Sequence, residues 1–313
     1  MAASTSAGRA PALYTPKHWP VWFGFAVLRL LCLLPLRAQL GIGAALGGVA
    51  MRFAGRRRHI AATNLALCFP DLDDDARRRL LRRHFAALGM SLFETATGWW
   101  TSNAHIQKRV EIRGREHLSA ARNLGRGVIM LSAHFTPMEL VGRAMAAAVP
   151  VQVLYREHEN PVVERVLRRN REGHFEKAIP RDDMRGLLRA LKANGVVWFA
   201  PDQNYGHKHG VFAPFFGVSA ATNNAAARLA KSSGAAVVPS LYRRLPGQAR
   251  YVIDIYPALA DFPSGDPEAD TARINRLLED YIRKAPEQYW WVHRRFKDRP
   301  AGERDVYDPS VVW

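Results

Sequence analysis

From about residue 127 the chain alternates short apolar runs, rich in β-branched residues, with longer segments that put an apolar side chain at every third or fourth position. The runs GVIML (127–131), VPVQVLY (149–155), GVVWFA (195–200), AAVVPSLY (235–242) and RYVIDIY (250–256) predict strands. Between and after them, Met184, Leu187, Leu188 and Leu191 share one helix face, residues 225–232 predict a second helix, and Ile274, Leu277, Leu278, Tyr281 and Ile282 a third. Strands separated by helices predict an α/β fold with a mixed, largely parallel sheet flanked by helices. No internal repeat or long linker divides the chain, and the Pro, Asp and Gly residues of 261–267 read as a surface loop.

Upstream the pattern changes. Asp73, Asp74 and Asp75 offer an N-cap and a negative first turn to a helix whose apolar stripe is Leu81, Phe85, Leu88 and Leu92. Its other face carries Arg77, Arg78, Arg79, Arg82 and Arg83, a face that either is solvated or lies against anionic headgroups. Earlier still, VWFGFAVLRLLCLLPL (21–36) is mostly apolar but interrupted by Arg29 and Pro35, and a milder run follows over 40–51. A spanning helix needs about 20 apolar residues, and a central Arg costs roughly 2.5–3.5 kcal/mol. A signal peptide fits no better, because the run starts late and lacks both a basic flank and a clean small-residue cleavage site. Trp19, Trp22 and Phe23 at its start and Arg56-Arg57-Arg58 beyond its end predict an N-terminal membrane-anchoring helical segment, spanning or interfacial, with a buried hairpin as the alternative. The expected organisation is a polar leader at 1–18, the anchoring segment at 19–55 and a single α/β domain at 56–313. Gly41, Gly43, Gly47 and Gly48 follow no strand and predict close helix packing, not a dinucleotide loop.

Charge narrows the partners. The 313 residues hold 45 Lys and Arg against 28 Asp and Glu, a formal charge of +17, so anionic partners are expected: phospholipid, acidic protein or nucleic acid. Two cysteines, Cys32 and Cys68, make neither a disulfide framework nor a CxxC site, which suits a reducing compartment. His207-Lys208-His209 lacks a nearby third ligand and reads as a basic loop; no metal is expected. Trp290-Trp291, with His293, Arg294, Arg295 and Lys297, reads either as an interfacial patch or as core aromatics beside a solvated charge run.

Chemistry concentrates in SAHFTPMEL (132–140). His134 directly follows the predicted strand 128–131, at the carboxyl edge of the sheet, where α/β proteins place their sites. Five residues on a regular helix turn about 500°, so Glu139 would not share a face with His134, and the two meet only across a turn. Thr136 as N-cap, Pro137 at N1 and Glu139 at N3 would supply that turn as a capping box. The residues themselves leave catalysis, capping and a satisfied structural histidine open. A neutral imidazole held by a carboxylate suits proton removal from an alcohol, with no protein nucleophile needed; Ser132, on the strand before His134, is expected to point away or bond locally.

At this point NLALCFP (64–70), APDQNYG (200–206), FAPFFGV (212–218) and APEQYWWVHRRFKDRP (285–300), together with His134 and Glu139 in an H-x4-E arrangement, resemble the bacterial lipid A biosynthesis acyltransferases, and among them the lauroyltransferases acting on the Kdo-modified precursor. The resemblance runs from about residue 17 to 300. It implies a glycerolipid-acyltransferase-like fold and an enzyme on the cytoplasmic face of the bacterial inner membrane. Such an enzyme takes a fatty acyl chain, lauroyl or similar, from acyl carrier protein to the hydroxyl of a 3-hydroxyacyl chain on an anionic glycolipid, without a cofactor. It implies that His134 is the base and Glu139 its holder. Arg156, Arg171 and Arg185 fall where the family has basic residues, suited to phosphates and carboxylates. Asp202 and Gln203, after the strand 196–199 and a Pro, are expected at the site. Phe135-Thr136-Pro137-Met138 departs from the lauroyltransferase pattern, and the tail 306–313 has no counterpart. Two rivals remain: the same chemistry on another glycolipid or lipid hydroxyl, and a non-catalytic basic protein binding membranes or polyanions. The second leaves the placement of His134 unexplained and shows no nucleic-acid motif.

Overall fold

The apolar runs pair as a parallel sheet in the computed structural model, which describes residues 13–206, 210–308 and 310. The strands are β1 (Val110–Arg113), β2 (Val128–Leu131), β3 (Gln152–Tyr155), β4 (Lys177–Pro180), β5 (Val196–Phe199), β6 (Val211–Phe215), β7 (Val218–Thr222), β8 (Ala236–Arg244) and β9 (Tyr251–Ile255). Seven of them form one sheet in the order β1-β9-β8-β2-β5-β3-β4, and β6 and β7 make a separate hairpin. From β8 to β4 every pairing is parallel, while β9 runs antiparallel to β8 and carries β1 with it. All four residues of β2 are buried, as a strand covered on both faces requires.

Helices α1 (Trp19–Leu31), α2 (Leu36–Phe53), α3 (Gly55–Cys68), α4 (Asp74–Trp100) and α5 (Asn103–Gln107) precede the sheet. The connections carry α6 (Arg115–Asn123), α7 (Met138–Ala146), α8 (Pro161–His174), α9 (Met184–Lys192), α10 (Ala225–Ser233) and α11 (Pro267–Ile282). Asp73 caps α4 as its sequence predicts, accepting from the Ala76 N–H at 2.6 Å. The first helices answer the glycine expectation in detail. A Cβ at Gly47 would lie 2.0 Å from the Phe85 carbonyl oxygen, and one at Gly43 2.7 Å from that of Gly89, so α2 and α4 touch backbone to backbone. Gly41 and Gly48 face open space and take no part.

Of the two forms of anchoring expected for the N-terminal segment, the spanning one is corrected. Among the described residues no helix is long and apolar enough to cross a membrane. Its two runs are separate helices: α1 has 13 residues, about 20 Å against a hydrocarbon core of about 30 Å, and α2 opens and closes on Arg37 and Arg52. The turn between them is locked by Gln39, whose Nε2 donates to the carbonyls of Cys32 and Leu34. A buried hairpin is not the result either. Phe23, Val27, Leu30 and Leu34 on one side, and Leu46, Val49 and Phe53 on the other, are exposed apolar residues at helical spacing. His207-Lys208-His209 and residues 311–313 lie outside the described residues.

Candidate active site

β2 and β5 are direct neighbours with Leu131 opposite Phe199, so the chain leaves both strands at the same edge. Three residues beyond each strand stand His134 and Asp202. His134 Nδ1 lies 2.7 Å from Asp202 Oδ1, and the His134 backbone N–H donates to Oδ2 at 2.9 Å. A carboxylate only accepts, so Nδ1 carries the proton and Nε2 keeps its lone pair. Asp202 is sealed, 1% exposed, while His134 remains 27% exposed. Burial works against the imidazolium, but the charge and hydrogen bond of Asp202 outweigh it and raise the His134 pKa above its ordinary value. Burial likewise opposes ionisation of Asp202, and the same pairing holds its carboxyl below the ordinary aspartate range.

Glu139 does not hold the imidazole. It accepts from Arg171 Nη2 of α8 at 2.5 Å. The capping box is absent too: α7 begins one residue later than that pattern requires, with Pro137 at the N-cap position and no side-chain cap bond. The reason lies in Phe135 and Thr136, whose backbone is taken by another segment. Phe135 bridges Tyr289, the Thr136 N–H donates to the Gln288 carbonyl at 2.8 Å, and the Trp290 N–H donates to the His134 carbonyl at 3.0 Å. Among the described residues, Thr136 Oγ1 is left buried without a partner, and so is Ser132 Oγ. Gly98 of α4 lets that helix rest on the first turn of α7; a Cβ there would stand 3.0 Å from the Glu139 carbonyl.

The segment that stitches the histidine loop is itself held from several sides. Gln288 exchanges two hydrogen bonds with the Arg244 backbone, at 2.7 and 3.0 Å, and Arg244 pairs with buried Glu94 at 2.5 Å. The Tyr242 hydroxyl donates to the Ala133 carbonyl at 2.9 Å, and Tyr289 to that of Asp202 at 3.2 Å. Trp291 is fully buried, so it belongs to the core, whereas Trp290 reaches the surface. Arg295 is not part of a solvated charge run: it is buried, donates to the Ala221 carbonyl and Thr222 Oγ1, and lies over the Phe215 ring.

β3 is the next strand beyond β5, so Arg156 leaves the same edge, exposed beside Tyr155. Arg156 and Arg171 line one narrow cleft with Glu164 and Arg168. Arg185 is exposed in the first turn of α9, after the outermost strand β4, and shares no hydrogen bond with that group among the described residues. Gln203 is part-buried next to Asp202. Sequence reasoning missed several supports. Asn64 is buried, donates to the carbonyls of Trp291 and His293, and accepts from the hydroxyl of Tyr307 in the tail. His293 Nε2 accepts from the Asn204 N–H at 3.0 Å; burial lowers its pKa to about 4, which keeps it neutral. Arg143 on α7 is buried and holds Asn103 and the Gly98 carbonyl. Asn64 lies in NLALCFP and His293 in APEQYWWVHRRFKDRP, so the motifs marked their neighbourhoods without stating their roles.

An α/β fold with an oriented, solvent-reachable imidazole at the carboxyl edge of its parallel strands has its titratable chemistry where such folds carry their sites. Residues 6–298 match the family model for bacterial lipid A biosynthesis acyltransferases, and the chain belongs to that family and is an acyltransferase of lipid A biosynthesis. It is 39% identical over 293 residues to the lipid A biosynthesis palmitoleoyltransferase of Escherichia coli K12, covering 93% of this chain and 95% of the relative. It is 37% identical over 297 residues to the lauroyltransferase of the same organism, covering 95% and 97%, and 28% identical over 295 residues to its myristoyltransferase, covering 93% and 91%.

Proposed function

We propose that the protein transfers a fatty acyl chain from the thioester of acyl carrier protein to the hydroxyl of a 3-hydroxyacyl chain on the Kdo-modified lipid A precursor, with His134 as general base. The observation that carries this is the double hydrogen bond from His134 to buried Asp202, which fixes the ring and leaves Nε2 without a hydrogen-bond partner among the described residues. Nε2 takes the proton of the acceptor hydroxyl as its oxygen attacks the thioester carbonyl. The carbon–sulfur bond breaks, the imidazolium returns its proton to the departing thiolate, and an ester remains. Asp202 stabilises the transient cation, the role the sequence reading gave to Glu139.

Glu139 and Arg171 act as a positioning pair beside it. The row of basic side chains leaving the same sheet edge, Arg156 and further out Arg185, supports an acceptor with phosphate and carboxylate groups. The exposed apolar faces of α1 and α2, with Trp19 at their start, support attachment in the plane of a membrane interface, on the cytoplasmic side of the bacterial inner membrane. The three E. coli relatives carry palmitoleoyl, lauroyl and myristoyl names, so kinship leaves the chain length to an assay across acyl carrier protein thioesters of graded length.

The test is acyl transfer to the Kdo-modified precursor in detergent by wild type and His134→Ala. Product from wild type with a loss of at least about a hundredfold in the variant is expected. Equal transfer by both removes His134 as base, and no transfer by wild type removes this acceptor.

A further inference from the structure

A cavity of about 270 Å³ lies between the α1–α2 turn and the stretch that joins α4 to β1, and its lining does not include His134. Its apolar wall is Leu33, Leu34 and Leu36; its polar wall is Thr97, Thr101, His105 and Arg109. Among the described residues no carboxylate lines it. The carbonyls of Cys32 and Leu34 in the turn accept from Gln39 Nε2, and Thr97 Oγ1 donates to Gln39 Oε1 at 3.4 Å, so the donors left to the wall are those of Thr101, His105 and Arg109. Arg109 donates from Nε to His105 Nε2 at 2.9 Å, which puts the imidazole proton on Nδ1 as a further donor and leaves both guanidinium Nη groups without a hydrogen-bond partner among the described residues. Burial, then Arg109 and Lys108, lower the His105 pKa, so Arg109 is the wall's permanent charge.

The surroundings define what enters. Leu33, which lines the cavity, is 81% exposed, and Leu30, three residues earlier on α1, is 65% exposed. A ligand suited to this place carries one anionic, multiply accepting group for Arg109 and hydrocarbon that continues past the leucines into an apolar phase. A free phosphate would leave the leucine wall unused, and a neutral lipid would leave Arg109 unpaired.

We propose that this cavity is a headgroup site for an anionic phospholipid of the membrane, separate from the acyl acceptor site, in which the phosphate is held by Arg109 with the His105 and Thr101 donors. This rests on the reading that α1 and α2 lie in a membrane interface. The site would fix the rotation of the protein on the bilayer, which a uniform excess of positive charge does not.

The test uses the full chain and vesicles of phosphatidylcholine, with or without phosphatidylglycerol. Arg109→Gln is expected to weaken binding to the phosphatidylglycerol vesicles by at least about tenfold, because a fitted charge-assisted contact is lost, whereas Lys231→Gln, an exposed charge outside the cavity, costs about fivefold or less. Binding to phosphatidylcholine alone should be unchanged in both. Cys32 gives a readout on unaltered protein: it lines the cavity and is partly exposed, while Cys68 is buried. At equal fractions bound, phosphatidylglycerol vesicles should slow alkylation of Cys32 more than phosphatidylcholine vesicles do.

Equal losses for Arg109→Gln and Lys231→Gln, or equal protection by both vesicles, overturn the site while leaving membrane attachment standing. Failure of wild type to bind any vesicle overturns attachment and the site together. Protection by soluble glycerol phosphate alone would make it a small-phosphate site. A loss of acyl transfer by Arg109→Gln in neutral detergent without phospholipid would make it part of the acceptor site. Either result overturns the proposal.

Discussion

At the scale of single residues, Asp202 and Glu139 make different contacts, Asp202 with His134 and Glu139 with Arg171. Asp202 accepts from both the ring and the backbone of His134, and it lifts the imidazole pKa. Asp202→Asn offers one acceptor oxygen to two donors, so it loses one contact and the charge. We expect transfer to fall by roughly a hundredfold and the acid limb of kcat/KM, which in wild type inflects above about 6.5, to move down. Glu139→Gln weakens the bond to Arg171 instead. It should lower activity through acceptor or loop position while leaving the inflection where wild type has it. A pH profile in which Glu139→Gln moves the limb and Asp202→Asn does not would reverse the assignment.

At the scale of elements, β2, β3, β5, β8 and β9 and the helices α9, α10 and α11 were legible because their signal is local, apolar period and length, whereas β4, β6, β7 and α8 were not predicted. His134 and Asp202 were each legible as residues just past a strand. Their partnership was not, because it depends on β2 and β5 being neighbours, and strand order is a property of the whole sheet. The H-x4-E spacing drew attention to the nearer carboxylate, but Phe135 and Thr136 are committed to the 288–290 segment, and Glu139 is left to face α8. The glycines of α2 were legible as packing, though not which of them pack. That difference is measurable. Gly48→Ala meets nothing and should stabilise α2 by up to about 1 kcal/mol. Gly47→Ala must push α2 off the Phe85 carbonyl, and we expect it to destabilise by about 2 kcal/mol or more. Thermal unfolding of the two variants should shift in opposite directions; a matching shift would mean that the helix contact is looser than the structure has it.

At the scale of the whole molecule, three histidines give stability a dependence on pH with a definite sign. Buried His84 and His293 both have folded pKa values lowered to about 4, against about 6.5 when unfolded. Below about pH 6.5 the unfolded chain takes up protons that the folded chain refuses. Each group therefore removes about 1.4 kcal/mol per pH unit until the folded state also protonates. His134 runs the other way: its raised pKa contributes stability that is complete below the unfolded value and is lost as pH rises through the folded one. Between about pH 6 and 5 His134 is protonated in both states and adds no slope, and Asp202, with a lowered pKa, begins to matter only below about 4. His293→Gln should consequently flatten the fall of unfolding free energy in that window by about 1.4 kcal/mol per pH unit, measured by urea titration in detergent. His134→Gln should leave the slope there unchanged and alter it only above about pH 6.5. If His293→Gln leaves the acid slope intact, the imidazole beside Asn204 is charged in the folded protein, and the Asn204 N–H that it accepts must find another partner.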